Sequence, residues 1–259
     1  MTKFRTELGD YLKVKKADQD ISIMSKKKFE SFNEDILGLG KIGTKSNQIN
    51  ALSVLFDLEG FTNFCNQIDP HLAVPEYLSE FLQWLFKEVR TELTEATFPE
   101  GYKTFSELPF LAKFMGDGIL FLWDTANLSD TQIINIVVSM YEICKSYQNA
   151  FYKEITKKIV SPPLKLRCGI ARGAIYSVGN GDDYVGPCIN MSARLQKLNS
   201  LTFCFSRRGL NPMINPSLGN LVVTKKTDVR GIGSEELVCI IKKEFDRLEK
   251  TDKDKFKEA

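Results

Sequence analysis

One histidine, two tryptophans and six cysteines in 259 residues leave little material for several familiar chemistries. The lone imidazole, His71, removes His-based metal centres and any catalytic triad with a choice of bases. The cysteines, at positions 65, 144, 168, 188, 204 and 239, contain no Cys-x-x-Cys pair and no regular spacing, so neither a zinc site nor a disulfide framework is expected. No apolar run approaches membrane-spanning length and no signal-peptide pattern opens the sequence, which predicts a reduced, cytoplasmic protein with no membrane contact. Charge of one sign is also lacking. With 35 basic and 33 acidic residues the formal charge is +2, too small to argue for nucleic acid. Lysine-rich stretches near Lys13–Lys16, Lys26–Lys28 and from Lys250 onward read as solvated surface.

What is present is ordinary globular material, 43% hydrophobic and 26% charged, long enough for one sizeable core. Residues 1–49 are polar and lysine-rich, and are read as an extension of one or two short helices. Residues 50–242 hold the periodic segments, and 243–259 read as a charged tail, solvated from Thr251 onward. The apolar run Val54–Leu58 is a buried strand. Val74, Tyr77, Leu78, Phe81, Leu82, Leu85 and Val89 then recur at helical spacing. Two apolar runs around Gly116-Asp117-Gly118 make a tight β-hairpin, a second helix carries Ile134, Val137, Val138, Tyr141 and Cys144, and strands follow at 164–170 and 174–178. Strand, helix, hairpin, helix, strand is the α+β, ferredoxin-like βαββαβ order: an antiparallel sheet with helices on one face.

Chemistry enters with Asp57 and Asp117. Either carboxylate alone, at a strand end beside glycine, is as readily a turn residue. In a ferredoxin-like sheet, however, the first strand and the hairpin are neighbours, so the two converge and would repel without cations between them. Mg²⁺ or Mn²⁺ held by two carboxylates and phosphate oxygens is what phosphoryl transfer requires. Lys113, Asn190, Arg194 and Arg230 add donors for a polyphosphate, with Asn190 and Arg194 four apart on one helix face.

Four segments in this order resemble the class III nucleotidyl cyclases: Phe56-Asp57-Leu58-Glu59-Gly60-Phe61-Thr62, Lys113-Phe114-Met115-Gly116-Asp117, Asp183-Tyr184-Val185-Gly186 and Asn190-Met191-Ser192-Ala193-Arg194. The resemblance spans about residues 50–242. It implies two divalent cations, Mn²⁺ or Mg²⁺, on Asp57 and Asp117, with the Leu58 carbonyl as an extra ligand. Asn190 would orient the ribose, and Arg194 would stabilise the α-phosphate as the 3′ hydroxyl attacks and pyrophosphate leaves. Arg230 stands where the family usually has a triphosphate lysine and keeps the charge. Phe61 and Thr62 would open a helix whose amides cradle the terminal phosphates. The family's site is shared by two chains, which implies a head-to-tail homodimer: one protomer gives Asp57 and Asp117, its partner Lys113, Asp183, Asn190, Arg194 and Arg230.

Lys113 and Asp183 match the pair that reads adenine in adenylate cyclases, and a lysine at that position disfavours GTP. Cytosine presents the same amino-plus-ring-nitrogen edge, and uracil satisfies the pair through N3–H and a carbonyl oxygen. The chain reads as a free-standing cyclase domain, and Asn190–Gly209 resembles the bacterial pyrimidine cyclases of the Pycsar anti-phage systems. That implies a product, cyclic UMP or cyclic CMP, acting on a cyclic-nucleotide-responsive effector; adenylate cyclase is the alternative. A catalytically dead binding module is disfavoured because no metal or transition-state residue is missing. A diguanylate cyclase is disfavoured because its Gly-Gly-Asp/Glu-Glu-Phe signature is absent.

Overall fold

Alternation with a period of two, carried through the hydrophobic runs, decides most of the architecture. The computed structural model describes residues 11–16, 19–97, 103–105, 107–181, 183–198 and 200–259. In chain order the elements begin with β1 (Leu12–Lys16), β2 (Gln19–Ile23), α1 (Lys26–Glu30), β3 (Gln48–Glu59), α2 (Phe61–Cys65) and α3 (Pro70–Glu92). There follow β4 (Thr94–Thr97), β5 (Lys103–Phe105), β6 (Leu111–Phe114), β7 (Gly118–Asp124), α4 (Asp130–Ser146), α5 (Tyr152–Ile155), β8 (Lys165–Val178) and β9 (Asp183–Val185). The last are α6 (Pro187–Leu195), β10 (Phe203–Ser206), α7 (Pro216–Leu221), β11 (Val222–Val229), β12 (Gly233–Ile241), α8 (Lys242–Arg247), α9 (Lys250–Lys253) and β13 (Phe256–Glu258). They form two units: residues 1–48 with 176–185, and 49–175 with 186–259.

The second unit is built on a sheet whose strand order is β13-β11-β12-β10-β8-β3-β7-β6. Its β8-β3-β7-β6 part is the ferredoxin-like arrangement expected from the sequence. Leu52, Val54, Phe56 and Leu58 of β3 share one face with Ile119, Phe121 and Trp123 of β7 and with Leu166, Cys168 and Ile170 of β8. Against this face pack α3, through Tyr77, Phe81, Leu85 and Val89, and α4, through Ile133, Ile136, Val137 and Met140. Each fully buried side chain of this size contributes about 1.5–3 kcal/mol. The core's polar atoms are satisfied: Tyr147 Oη donates to Pro163 O at 2.6 Å and accepts from Tyr77 Oη at 2.9 Å. A capping box between Ser129 and Gln132 starts α4.

The opposite face of the sheet carries the short helix α6. Ser53 Oγ and Ser192 Oγ lie 2.7 Å apart, and because the Ser192 hydroxyl donates to Ile189 O at 2.9 Å, Ser53 is the donor. Gly169 on β8 permits the close approach. A Cβ there would stand 2.2 Å from Ser192 O and 2.4 Å from Gln196 N.

Three local expectations are corrected. Residues 164–178 are one strand of fourteen residues, not two, because neither Gly169 nor Gly173 interrupts an otherwise alternating run. The segment from Thr251 is not a solvated tail: β13 pairs antiparallel with β11 and buries Phe256 against Phe245. Within residues 1–49 the first described element is a hairpin, not a helix, with Leu12 opposite Ile23 and Val14 opposite Ile21. Short helical turns do follow it, at α1 and at Glu34–Leu37.

In this first unit the chain after Leu37 runs beside the β8–β9 hairpin. Ser46 Oγ donates to Ser177 O at 2.8 Å, Asn47 N to Ser177 Oγ at 2.9 Å and Asn180 N to Leu39 O at 3.2 Å. A Cβ on Gly179, whose φ is +63°, would fall 1.8 Å from Leu39 O, so only glycine serves there. Among the described residues no helix is long and apolar enough to cross a membrane.

Candidate active site

Two strands deliver the carboxylates. Asp57 of β3 is paired with Gly118 of β7, and Leu58 N donates to Asp117 O at 3.1 Å. The backbone thus fixes both acidic residues at one end of the sheet. A Cβ on Gly118 would stand 2.5 Å from Phe56 O, so the Gly-Asp-Gly turn is held against β3 more closely than a larger residue permits. Gly116, at φ +93°, makes the turn. Asp57 is buried, and its Oδ2 accepts from Arg167 Nη2 at 2.5 Å and Nε at 3.2 Å.

Two cavities meet at these carboxylates. The first, of about 450 Å³, is bordered by Asp57 and Asp117 on the sheet side and by Asn190 and Arg194 on the α6 side, with Leu55 and Leu120 as its apolar floor. The second, of about 370 Å³, is bordered by the same carboxylates with Leu58, the Gly60–Asn63 turn and Arg167. Gly60, at φ +87°, opens α2, so Phe61 and Thr62 stand at its start as expected.

Seven of the sequence-derived residues therefore gather around two adjoining cavities of one chain: Asp57, Leu58, Phe61, Thr62, Asp117, Asn190 and Arg194. Three do not border either. Lys113 lies on β6 opposite Leu120, sharing that residue's face. Arg230 is exposed at the β11–β12 turn, where its neighbours Gly231 and Ile232 border the first cavity. Asp183 belongs to the first unit, half-buried on β9, with its Oδ1 accepting from Tyr184 N at 2.8 Å.

Sequence reasoning missed Arg167, Gln196 and Lys197. The signal for Arg167 is a guanidinium set between the core residues Leu166 and Cys168, on the face that Asp57 shares. Gln196 is buried, borders the first cavity, and its Oε1 is the one buried side-chain polar atom left without a partner among the described residues.

The arrangement was compared with known proteins. No protein-family model and no curated protein matches the chain. Solved structures do. An adenylyl cyclase, CyaB from P. aeruginosa, is 15% identical with a TM-score of 0.57, over 76% of this chain and 96% of its own. A guanylyl cyclase, Cya2, is 15% identical with a TM-score of 0.55, over 76% and 94%. The catalytic core of a rhodopsin-guanylyl cyclase with converted specificity, in complex with ATPαS, is 16% identical with a TM-score of 0.52, over 76% and 98%. This is the class III nucleotidyl cyclase fold.

On the cyclase fold, the donors present suit a hard divalent cation. The described residues contain no cluster of three or more His, Cys, Asp or Glu groups, so Asp57 and Asp117 would be its only side-chain ligands. Mg²⁺ and Mn²⁺ are commonly bound through one or two carboxylates, with water and substrate phosphate filling the remaining positions. Both bonds from Arg167 go to Oδ2 of Asp57, which leaves Oδ1 as the oxygen that would meet such an ion.

Proposed function

We propose that the chain is a nucleotidyl cyclase that converts a ribonucleoside triphosphate into a 3′,5′-cyclic nucleotide and pyrophosphate, with a pyrimidine triphosphate as substrate. The observation that carries the cyclase reading is the placement of Asp57 and Asp117 at one sheet end beside the Gly60–Asn63 turn, with Asn190 and Arg194 exposed on one row of α6, open to a facing chain. The 3′ hydroxyl gives its proton to solvent, its oxygen forms a bond to the α-phosphorus, the bond from that phosphorus to the β-phosphate bridging oxygen breaks, and pyrophosphate departs. Asp57 and Asp117 would hold two divalent cations, which would supply a lowered pKa at the 3′ hydroxyl and charge to offset the leaving phosphates. Arg194 directs its guanidinium at the α-phosphate, where charge accumulates in the transition state, and the Asn190 amide orients the ribose. Arg167 holds Asp57 in place and adds a cation beside the terminal phosphates.

The acting species is a head-to-tail homodimer in which Asp57 and Asp117 of one chain face Lys113, Asp183, Asn190, Arg194 and Arg230 of its partner. Lys113 and Asp183 read the base. The likeness of Asn190–Gly209 to anti-phage pyrimidine cyclases favours UTP or CTP and a product that activates a defence effector. The second reading is ATP, since adenine offers the same edge to that pair.

Purified protein incubated with Mn²⁺ and each of the four ribonucleoside triphosphates in turn decides between these. Cyclic UMP or cyclic CMP is the expected product; cyclic AMP alone overturns the pyrimidine assignment, and no cyclic product from any triphosphate overturns the cyclase reading. Asp57→Ala and Asp117→Ala each lower turnover by at least about 100-fold, and chelation of the metal abolishes it. Sedimentation gives a dimer; turnover by a monomer refutes the shared site.

A further inference from the structure

The row of side chains that carries Asn190 and Arg194 continues past the end of its helix. Position 197 lies seven residues beyond Asn190 and three beyond Arg194, the spacing of one helix face. The α-helix ends at Leu195, but the following turn keeps the winding, with Lys197 N donating to Arg194 O at 3.2 Å. Lys197 thus projects from the end of α6 toward the carboxylates of its own chain.

Among the described residues, three border both cavities: Asp57, Asp117 and Lys197. Two are the carboxylates assigned to the cations; the third is a lysine to which neither the motifs nor the fold assigns a role. Lys197 is exposed, and among the described residues its ammonium makes no ion pair or hydrogen bond. A structural counter-ion to the carboxylates would be paired with one of them. The partner of Asp57 is instead Arg167, on the neighbouring strand. The charge of Lys197 is therefore left for a ligand, in the cavity that it borders with Asp57, Asp117, Arg167 and the Gly60–Asn63 turn of its own chain. The terminal phosphates of a substrate held by those carboxylates and that turn lie within this cavity.

We propose that Lys197 is a polyphosphate-binding residue that contacts the β- and γ-phosphates of the substrate, and the same two groups as pyrophosphate, from the chain that supplies Asp57 and Asp117. The proposal rests on the cyclase reading for its substrate. A compact ammonium on a flexible stem suits this place, because it follows the phosphates as they change from anhydride to free pyrophosphate.

The test compares wild type, Lys197→Ala and Lys197→Arg in the presence of Mn²⁺. Inorganic pyrophosphate and a nucleoside 5′-monophosphate are titrated calorimetrically, and KM and kcat are measured with whichever triphosphate is turned over. Lys197→Ala is expected to weaken pyrophosphate binding and raise KM by about tenfold, the loss of one charge-assisted contact. Monophosphate binding and melting temperature stay at wild-type values, and Lys197→Arg recovers most of the pyrophosphate affinity. Unchanged pyrophosphate affinity in Lys197→Ala overturns the proposal, as does a wild type that binds no pyrophosphate. The cyclase reading fails separately, by the absence of cyclic product from every triphosphate; if pyrophosphate binding still depends on Lys197, its role as a polyphosphate ligand stands.

Discussion

Replacing Gly169 by alanine tests whether the site depends on how closely α6 lies against the sheet. The added Cβ would meet Ser192 O at 2.2 Å and Gln196 N at 2.4 Å, where ordinary contact begins at 3.4 Å. Both obstructing atoms belong to the backbone, so no side chain can turn aside. The helix must retreat by 3.4 − 2.2 = 1.2 Å. That retreat strains the 2.7 Å Ser53–Ser192 bond and displaces Asn190 and Arg194 from the positions they hold over the sheet. Overpacking of this kind costs about 1–3 kcal/mol, against a total stability of about 5–15 kcal/mol, so the variant folds. A displacement of about 1 Å in a positioned catalytic group lowers turnover by about 100-fold. Gly173→Ala is the control on the same strand, since its Cβ would meet only Cys188 Cβ at 3.7 Å. Circular-dichroism melts and pyrophosphate-release kinetics of both variants decide the matter. Gly169→Ala should melt several degrees lower and lose most of its kcat, while Gly173→Ala behaves as wild type. Full turnover and an unchanged melting temperature in Gly169→Ala refute the reasoning.

The Ser53–Ser192 pair should respond asymmetrically to deletion. Ser53→Ala leaves the Ser192 hydroxyl donating to Ile189 O and costs about 1 kcal/mol, whereas Ser192→Ala leaves the buried Ser53 hydroxyl without a partner and costs about 1–3 kcal/mol. Urea unfolding of the two singles and the double should show the double costing less than their sum; strict additivity counts against the bond. Stability should also fall at alkaline pH. Burial pushes the thiols of Cys188 and Cys239 up to about 12 and about 11, and raises those of Cys168 and Cys204 and the phenols of Tyr77 and Tyr147 as well. An unfolded thiol ionises near about 8.5, so the unfolded chain releases these protons first. The contribution is complete below that value and is lost as pH climbs toward the folded values. The urea midpoint under reducing conditions should therefore be lower at pH 10 than at pH 7.5, and an equal or higher midpoint contradicts it.

The parts of the molecule written in local periodicity were legible before the fold was known. The apolar stripe of α3, the Gly-Asp-Gly turn and the four-residue spacing of Asn190 and Arg194 each depend on neighbours in sequence, and each appears where expected. Elements whose stability comes from distant partners were not legible. Phe256 looks like one aromatic in a charged tail until β11 is present to receive it. In Leu12–Lys16 and Gln19–Ile23 the alternation is short and dense with charge, so it reads as polar extension. Arg167 illustrates the same limit within the site. That it lies on an alternating strand is visible in the sequence, but which face of the strand meets Asp57 is settled only by the order β8-β3-β7. The base-reading residues are the converse case: Lys113 and Asp183 are conspicuous as motif positions, yet they belong to different units of the chain.

The docking of residues 39–47 beside the β8–β9 hairpin has a consequence for the order in which the chain folds. Ser46 and Ser177 are 131 positions apart, and Asn47 and Ser177 are 130 apart. At synthesis rates of about 5–20 residues per second, the earlier segment waits on the order of ten seconds for its partner strand. Contacts of such separation close late, because the entropy of the intervening loop must be overcome before they form. The hairpin that carries Asp183 therefore meets this segment only after β3, β6, β7 and β8 have been made. A nascent chain halted before residue 176 has nothing against which to fasten residues 39–47.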